Sequence, residues 1–114
     1  MLAAAFALNC TVLVPVLFMI WKDGHGARAA FGPDGPARRI LACLYGAILL
    51  AGAVVLGALL SGRAEVALAI GLVLLPVQIV YKLATAPALG LTHPVVRANL
   101  GIAAAHTLVL GTIL

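Results

Sequence analysis

The sequence has very little charge. Of its 114 residues, three are acidic and seven are Lys or Arg, so charged side chains make up 9% of the chain. An ordinary soluble domain carries about 25%. Asp23, Asp34 and Glu65 all fall between the long apolar runs and never inside one. That argues against proton coupling, which commonly uses an Asp or Glu within the membrane. Aromatic residues are scarce, at 5%. There are only two cysteines and no CxxC, so a thiol-exchange enzyme has no support. Cys10 falls in the middle of the first apolar run and Cys43 about one turn inside the second. Their depths in a bilayer would differ by roughly 10 Å, beyond disulfide reach. Both are expected to be buried free thiols. No G-x-S-x-G, P-loop or HExxH is present. The chain is therefore expected to be no enzyme, with no cofactor and no metal.

What is present is apolar. Hydrophobic residues make up 65% of the chain, and the mean hydropathy is +1.24. A chain this short cannot bury so much apolar surface in a water-soluble core. A soluble enzyme, a disordered chain and a nucleic-acid-binding domain are excluded on that ground. The formal net charge of +4 is no nucleic-acid signal, because the cations sit at the ends of apolar runs and not on a basic patch.

A membrane helix needs roughly 20 mostly apolar residues. Four such spans are expected, at about 1–21, 40–61, 66–86 and 94–114. The fold class is all-α, a single transmembrane four-helix bundle with antiparallel up-down topology. A signal peptide is disfavoured for the first run: no cations precede it, it is too long, and Lys22 follows it. Residues 22–39 are dense in Gly and Pro and read as a loop, with Asp34 capping the second helix and Pro36 in its first turn. Gly62 suits the left-handed position after a helix end, and Gly62 to Glu65 is short enough to force a hairpin. The stretch from Pro87 to Pro94 reads as an interfacial loop. Lys22, Arg28, Arg38, Arg39, Lys82 and Arg97 flank the first and third connections, and Arg63 alone the second. This asymmetry puts the first and third connections in the cytoplasm and both termini outside. Trp21, Tyr45 and Tyr81 then fall near the cytoplasmic boundary, as aromatic belt residues would. Alanine- and glycine-rich, lysine-poor usage suggests a GC-rich bacterial source, and hence a multi-pass protein of the cell inner membrane.

Helices in lipid associate through close backbone approach. Ala53, Gly57 and Ser61 recur at four-residue steps in the second span, with Ala47 and Ala51 nearby. In the third, Ala67, Gly71, Leu74 or Leu75, Gln78 and Lys82 share one helical face that should point inward. Pro15 and Pro76 lie inside spans and are expected to kink them.

The uncharged polar residues within the spans carry what functional information there is. Asn9, Thr11, Gln78, Asn99 and His106 are the intramembrane candidates. From about 1.5 Å of rise per residue, Asn9, Thr11 and His106 form an expected outer layer, and Gln78 and Asn99 an inner one. Asn99, Ala103 and His106 share a face. Interhelical hydrogen bonding is the default role for such residues, and replacing His106 by Leu is then expected to destabilise the fold. On the cytoplasmic side, Arg38, Arg39, Lys82, His93 and Arg97 are candidates for an anionic lipid or ligand. The length and span number invite comparison with small multidrug resistance transporters. Those carry a Glu in the middle of the first helix, where this chain has Asn9, Cys10 and Thr11, so no family is assigned. The leading reading is a non-enzymatic structural or accessory membrane protein. Its partners would be the lipid bilayer and either further copies of itself or a larger membrane complex, with no nucleic acid. The alternatives are an oligomeric transporter or channel along Asn9, Gln78, Asn99 and His106, or a cofactor-binding subunit with His106 as axial ligand.

Overall fold

Uninterrupted apolar stretches become helices here because a helix satisfies its own backbone hydrogen bonds, which lipid cannot do. The computed structural model describes residues 1–114. It is all-helical: α1 is Leu2–Lys22, α2 His25–Phe31, α3 Pro36–Leu60, α4 Ala64–Leu89 and α5 Pro94–Ile113. The four long helices are each apolar and long enough to cross a membrane. The molecule measures 42 × 26 × 18 Å, and its long axis matches a bilayer of about 40–45 Å including headgroups. Large apolar side chains cover the outside, among them Phe18, Leu50, Val73, Val80 and Leu108. In water such a surface would aggregate; in lipid it is solvated.

Helix α1 packs mainly on α3, and α4 mainly on α5, while α3 and α4 meet along their hairpin. Two apolar clusters fill the interior. One gathers Leu2, Ala5, Phe6, Val55, Ala67, Leu75 and Val109. The other gathers Leu13, Ile20, Tyr45 and Ile48. The inward face expected for α4 is buried, from Ala67 through Gly71, Leu75 and Gln78 to Lys82. Gly71 meets the flexible end of Leu2 there: a Cβ on it would lie 2.7 Å from Cδ1 of Leu2. Asn99, Ala103 and His106 likewise share the buried face of α5.

Several local expectations are corrected. Residues 22–39 are not all loop. The run His25–Phe31 is a short helix, for its three alanines favour helix and Ala27 is fully buried. Asp34 does not cap α3; the N-cap is Gly35 without a side-chain bond, because the Asp34 carboxylate is taken by Arg39 at 3.1 Å. Helix α4 runs on through Pro87 to Leu89, so the last connection shrinks to residues 90–93, with Gly90 at φ 89°. Pro15 and Pro76 lie inside α1 and α4, as their place within the spans implies. The stripe Ala53, Gly57 and Ser61 is exposed, because α3 buries Tyr45, Ile48, Gly52 and Val55 instead. Cys43 is exposed and only Cys10 is partly buried; both are free. The Gly62 expectation holds, with φ 74°, and Glu65 lies in the first turn of α4.

Candidate binding pocket at the cation-rich end

The polar residues within the spans are arranged differently from two layers. Asn9 donates from Nδ2 to Oε1 of Gln78 at 2.8 Å, and both side chains are buried. The pair crosses the two expected layers because α1 and α4 do not begin level with each other. Leu2 already meets Gly71, seven residues into α4. Thr11 belongs to no layer: it is exposed, and its hydroxyl donates to the Ala7 carbonyl of its own helix at 2.7 Å. His106 is fully buried, and neither ring nitrogen has a hydrogen-bond partner. The Ala5 backbone lies near the ring without meeting hydrogen-bond geometry. Asn99 bonds none of these residues. Its Nδ2 reaches Oγ1 of Thr85 at 3.3 Å, and that hydroxyl donates to the Lys82 carbonyl.

The cationic candidates separate into two groups. At the junction of α1, α2 and α3, Asp23 ends α1 in the left-handed conformation, at φ 50°. Its carboxylate accepts from Arg38 at 2.7 Å and from Arg28 at 2.8 Å. Arg38 also donates to the Gly32 carbonyl at 3.1 Å and lies 3.6 Å from Asp34. The Arg38 side chain is only 2% exposed, so this is an internal charge knot. The Arg28 guanidinium, and after it that of Arg38, holds the Asp23 carboxyl at about 2. Arg39 is exposed and paired with Asp34. A groove of about 430 Å³ runs beside this knot, lined by Leu17, Ile20, Trp21, Ala42 and the charged residues. Arg38 and Arg39 are therefore already paired within the chain.

The second group surrounds a larger cavity of about 550 Å³ between α2, α3, α4 and α5. Arg28 and His93 stand in its lining with Tyr45, Tyr81, Thr85 and Asn99. Phe31, Leu41, Leu44 and Leu89 form the apolar wall. None of its 14 lining residues is acidic. A recess of about 80 Å³ shares Phe31, Tyr45, Val95 and Asn99 with this cavity, and Lys82 lines the recess. Lys82 Nζ donates to the Tyr81 hydroxyl at 2.6 Å and stands 4.5 Å from the Tyr81 ring centre. Phe31 closes edge-on over Tyr45, with ring centres 6.1 Å apart, so α2 roofs the pocket. His93 is the N-cap of α5, its Nδ1 accepting from Val95 N–H at 3.2 Å. Neutral imidazole then carries its proton on Nε2, which stays free to donate.

Of the expected cationic set, His93 lines the larger cavity and Lys82 the adjoining recess, while Arg97 lines neither. Arg97 is exposed, and its Nε donates to the Leu91 carbonyl at 3.3 Å. Tyr45, Tyr81 and Thr85 are the lining residues that sequence reasoning missed. Both tyrosines were expected in a lipid-facing belt. Tyr45 is instead buried and Tyr81 half-buried, and both face this cavity. The available signal was helical register: Tyr81 and Lys82 adjoin, and Thr85 follows Lys82 by three residues, on its side of the helix. Trp21, 85% exposed, fits the belt. No group of three His, Cys, Asp or Glu side chains gathers in metal-binding geometry. No protein-family model matches the chain, and no curated protein or solved structure shows significant similarity to it.

Proposed function

We propose that the chain is a non-enzymatic, multi-pass protein of the cell inner membrane, built as an up-and-down antiparallel four-helix bundle. It acts as a structural or accessory component, associating with further copies of itself or with a larger membrane complex. The first and third connections face the cytoplasm and both termini the outside, as the Lys and Arg asymmetry demands. The observation that carries the reading is the outward small-residue stripe of α3. Ala53, Gly57 and Ser61 all face away from the other helices, and a Cβ on Gly57 would meet nothing within 4 Å. The Ser61 hydroxyl is satisfied within its own helix by the Gly57 carbonyl, at 2.7 Å, so no polar group is left to repel lipid or a partner helix. Such a surface allows close approach of a second helix.

The closed middle of the molecule supports an accessory role over a conducting one. Asn9, Gln78 and His106 line none of the three cavities, and Asn9 and Gln78 spend their hydrogen bond on each other. No cavity adjoins the His106 ring where a macrocycle would have to sit.

The test is the mass of the purified protein in detergent by light scattering. Wild type is expected as a discrete oligomer and Gly57→Leu as a monomer with unchanged helicity. A monomeric wild type that purifies alone overturns the association, and flux through liposomes containing it would restore the channel reading.

A further inference from the structure

We infer that the cavity roofed by α2 is a binding site for an anionic amphiphile, with the carboxylate or phosphate head on Lys82 and the apolar tail along Phe31, Leu41, Leu44 and Leu89. The inference begins from a charge without a partner. Lys82 is 4% exposed. Its ammonium has three donors and one hydrogen bond, to the Tyr81 hydroxyl. A buried charge is costly unless paired, and the chain holds no acid to pair it. Asp23 and Asp34 are bound by Arg28, Arg38 and Arg39. Glu65 is in the first turn of the same helix, 17 residues and about 25 Å away along the axis. The counter-ion must come from outside the chain.

The surroundings suit that ion and extend beyond it. The recess at Lys82 has about 80 Å³, enough for a small head group where a water takes about 30 Å³. It adjoins the larger cavity, with which it shares Tyr45, Val95, Phe31 and Asn99. Lys82 lines the recess, and Tyr81 and His93, the latter through Nε2, line the larger cavity beside it. Cavities of about 300–1,000 Å³ with apolar walls and a few convergent polar groups are the common form of a small-ligand site. The adjoining cavity is of that size and is walled by Leu41, Leu44 and Leu89. Leu44 and Leu89 are also exposed on the outer surface, at 50% and 53%, so a tail can enter sideways from lipid. A free inorganic anion would use only the recess and leave the larger cavity unexplained; that distinguishes the two sources of the same head-group chemistry.

The experiment is a thermal-unfolding titration of the full chain in neutral detergent with dodecyl phosphate, dodecanol or inorganic phosphate. Dodecyl phosphate is expected to raise the melting temperature saturably, and the other two are not. Lys82→Met should weaken dodecyl phosphate binding at least tenfold, and Lys82→Arg should retain most of it. Leu44→Trp, which fills the cavity and leaves Lys82 in place, should also abolish it. Equal stabilisation by dodecanol overturns the role of the charge, and equal stabilisation by inorganic phosphate overturns the amphiphile. If Lys82→Met does not fold, full binding by Leu44→Trp is by itself enough to reject the site.

Discussion

The amide of Asn9 donates to the side-chain carbonyl of Gln78 across 2.8 Å of buried space, joining α1 to α4 over 69 residues of chain. Leu2 and Gly71 meet at the same 69-residue offset. Both contacts reach across the interior between α1 and α4, which otherwise pack mainly on α3 and α5. Asn9 falls between Phe6 of one apolar cluster and Leu13 of the other, so the hydrogen bond marks the seam between them.

Asn9→Leu is expected to cost about 1 kcal/mol, in line with measured interhelical hydrogen bonds in membranes. Gln78 would then lose the one bond its amide makes, since Nε2 has none already. Adding Gln78→Leu should recover part of the loss, because an apolar pair leaves no orphaned amide. A double-mutant cycle on unfolding in mixed micelles measures the coupling.

At Gly71 two effects oppose each other. Alanine favours the helix by up to about 1 kcal/mol over glycine, while its Cβ would press on a flexible Leu2 methyl. Gly71→Ala should therefore be close to neutral. Gly71→Val adds bulk that Leu2 cannot evade and should cost about 1–3 kcal/mol. Leu2→Ala in the same chain should return most of that, as read by melting temperature.

Asp23→Asn should lower stability more than Arg28→Gln. The first change strips the main partner from Arg38, whose side chain is 2% exposed. The second removes an arginine that is 61% exposed, and surface pairs contribute little. The Asp23 carboxyl is held at about 2 in the folded chain, from an ordinary 3.8. A depressed pKa stabilises the fold above the unfolded value, and the stability is lost as pH falls from about 4 towards 2. Melting curves at pH 7, 4 and 2 should show that decline, and it should shrink in Asp23→Asn.

His106→Leu is expected to be neutral or stabilising, reversing the expectation from sequence. Both ring nitrogens are buried and unbonded, so an apolar side chain of similar reach removes two unsatisfied groups. A melting temperature lowered by several degrees would show that the imidazole is bonded after all.

The spans and their inward faces were legible in the sequence because lipid imposes a length and a helical period that few other factors perturb. Ala67 to Lys82 on α4, and Asn99 to His106 on α5, followed from spacing alone. The pairing of polar residues was not legible. Depth estimated from each span's own end misplaced Asn9 relative to Gln78, since helices start at different heights. The α3 stripe was visible but its direction was not: small residues lie on several faces, and the larger Tyr45, Ile48 and Val55 determined which one turned inward. The charge knot was missed because Asp23 reads as a loop residue. Asp23 is in fact the left-handed C-cap of α1, with its carboxylate on Arg28 and Arg38.

That knot also bears on the order in which the molecule is assembled. Arg38 finds its partners in Asp23, Gly32 and Asp34, all within 15 residues upstream of it. By the time Arg38 is synthesised every group it needs already exists. The α1–α2–α3 corner can thus lock while α4 and α5 are still to be made. The Asn9–Gln78 bond cannot close until translation has passed residue 78. The buried Arg38 is thus paired before the second pair of spans exists.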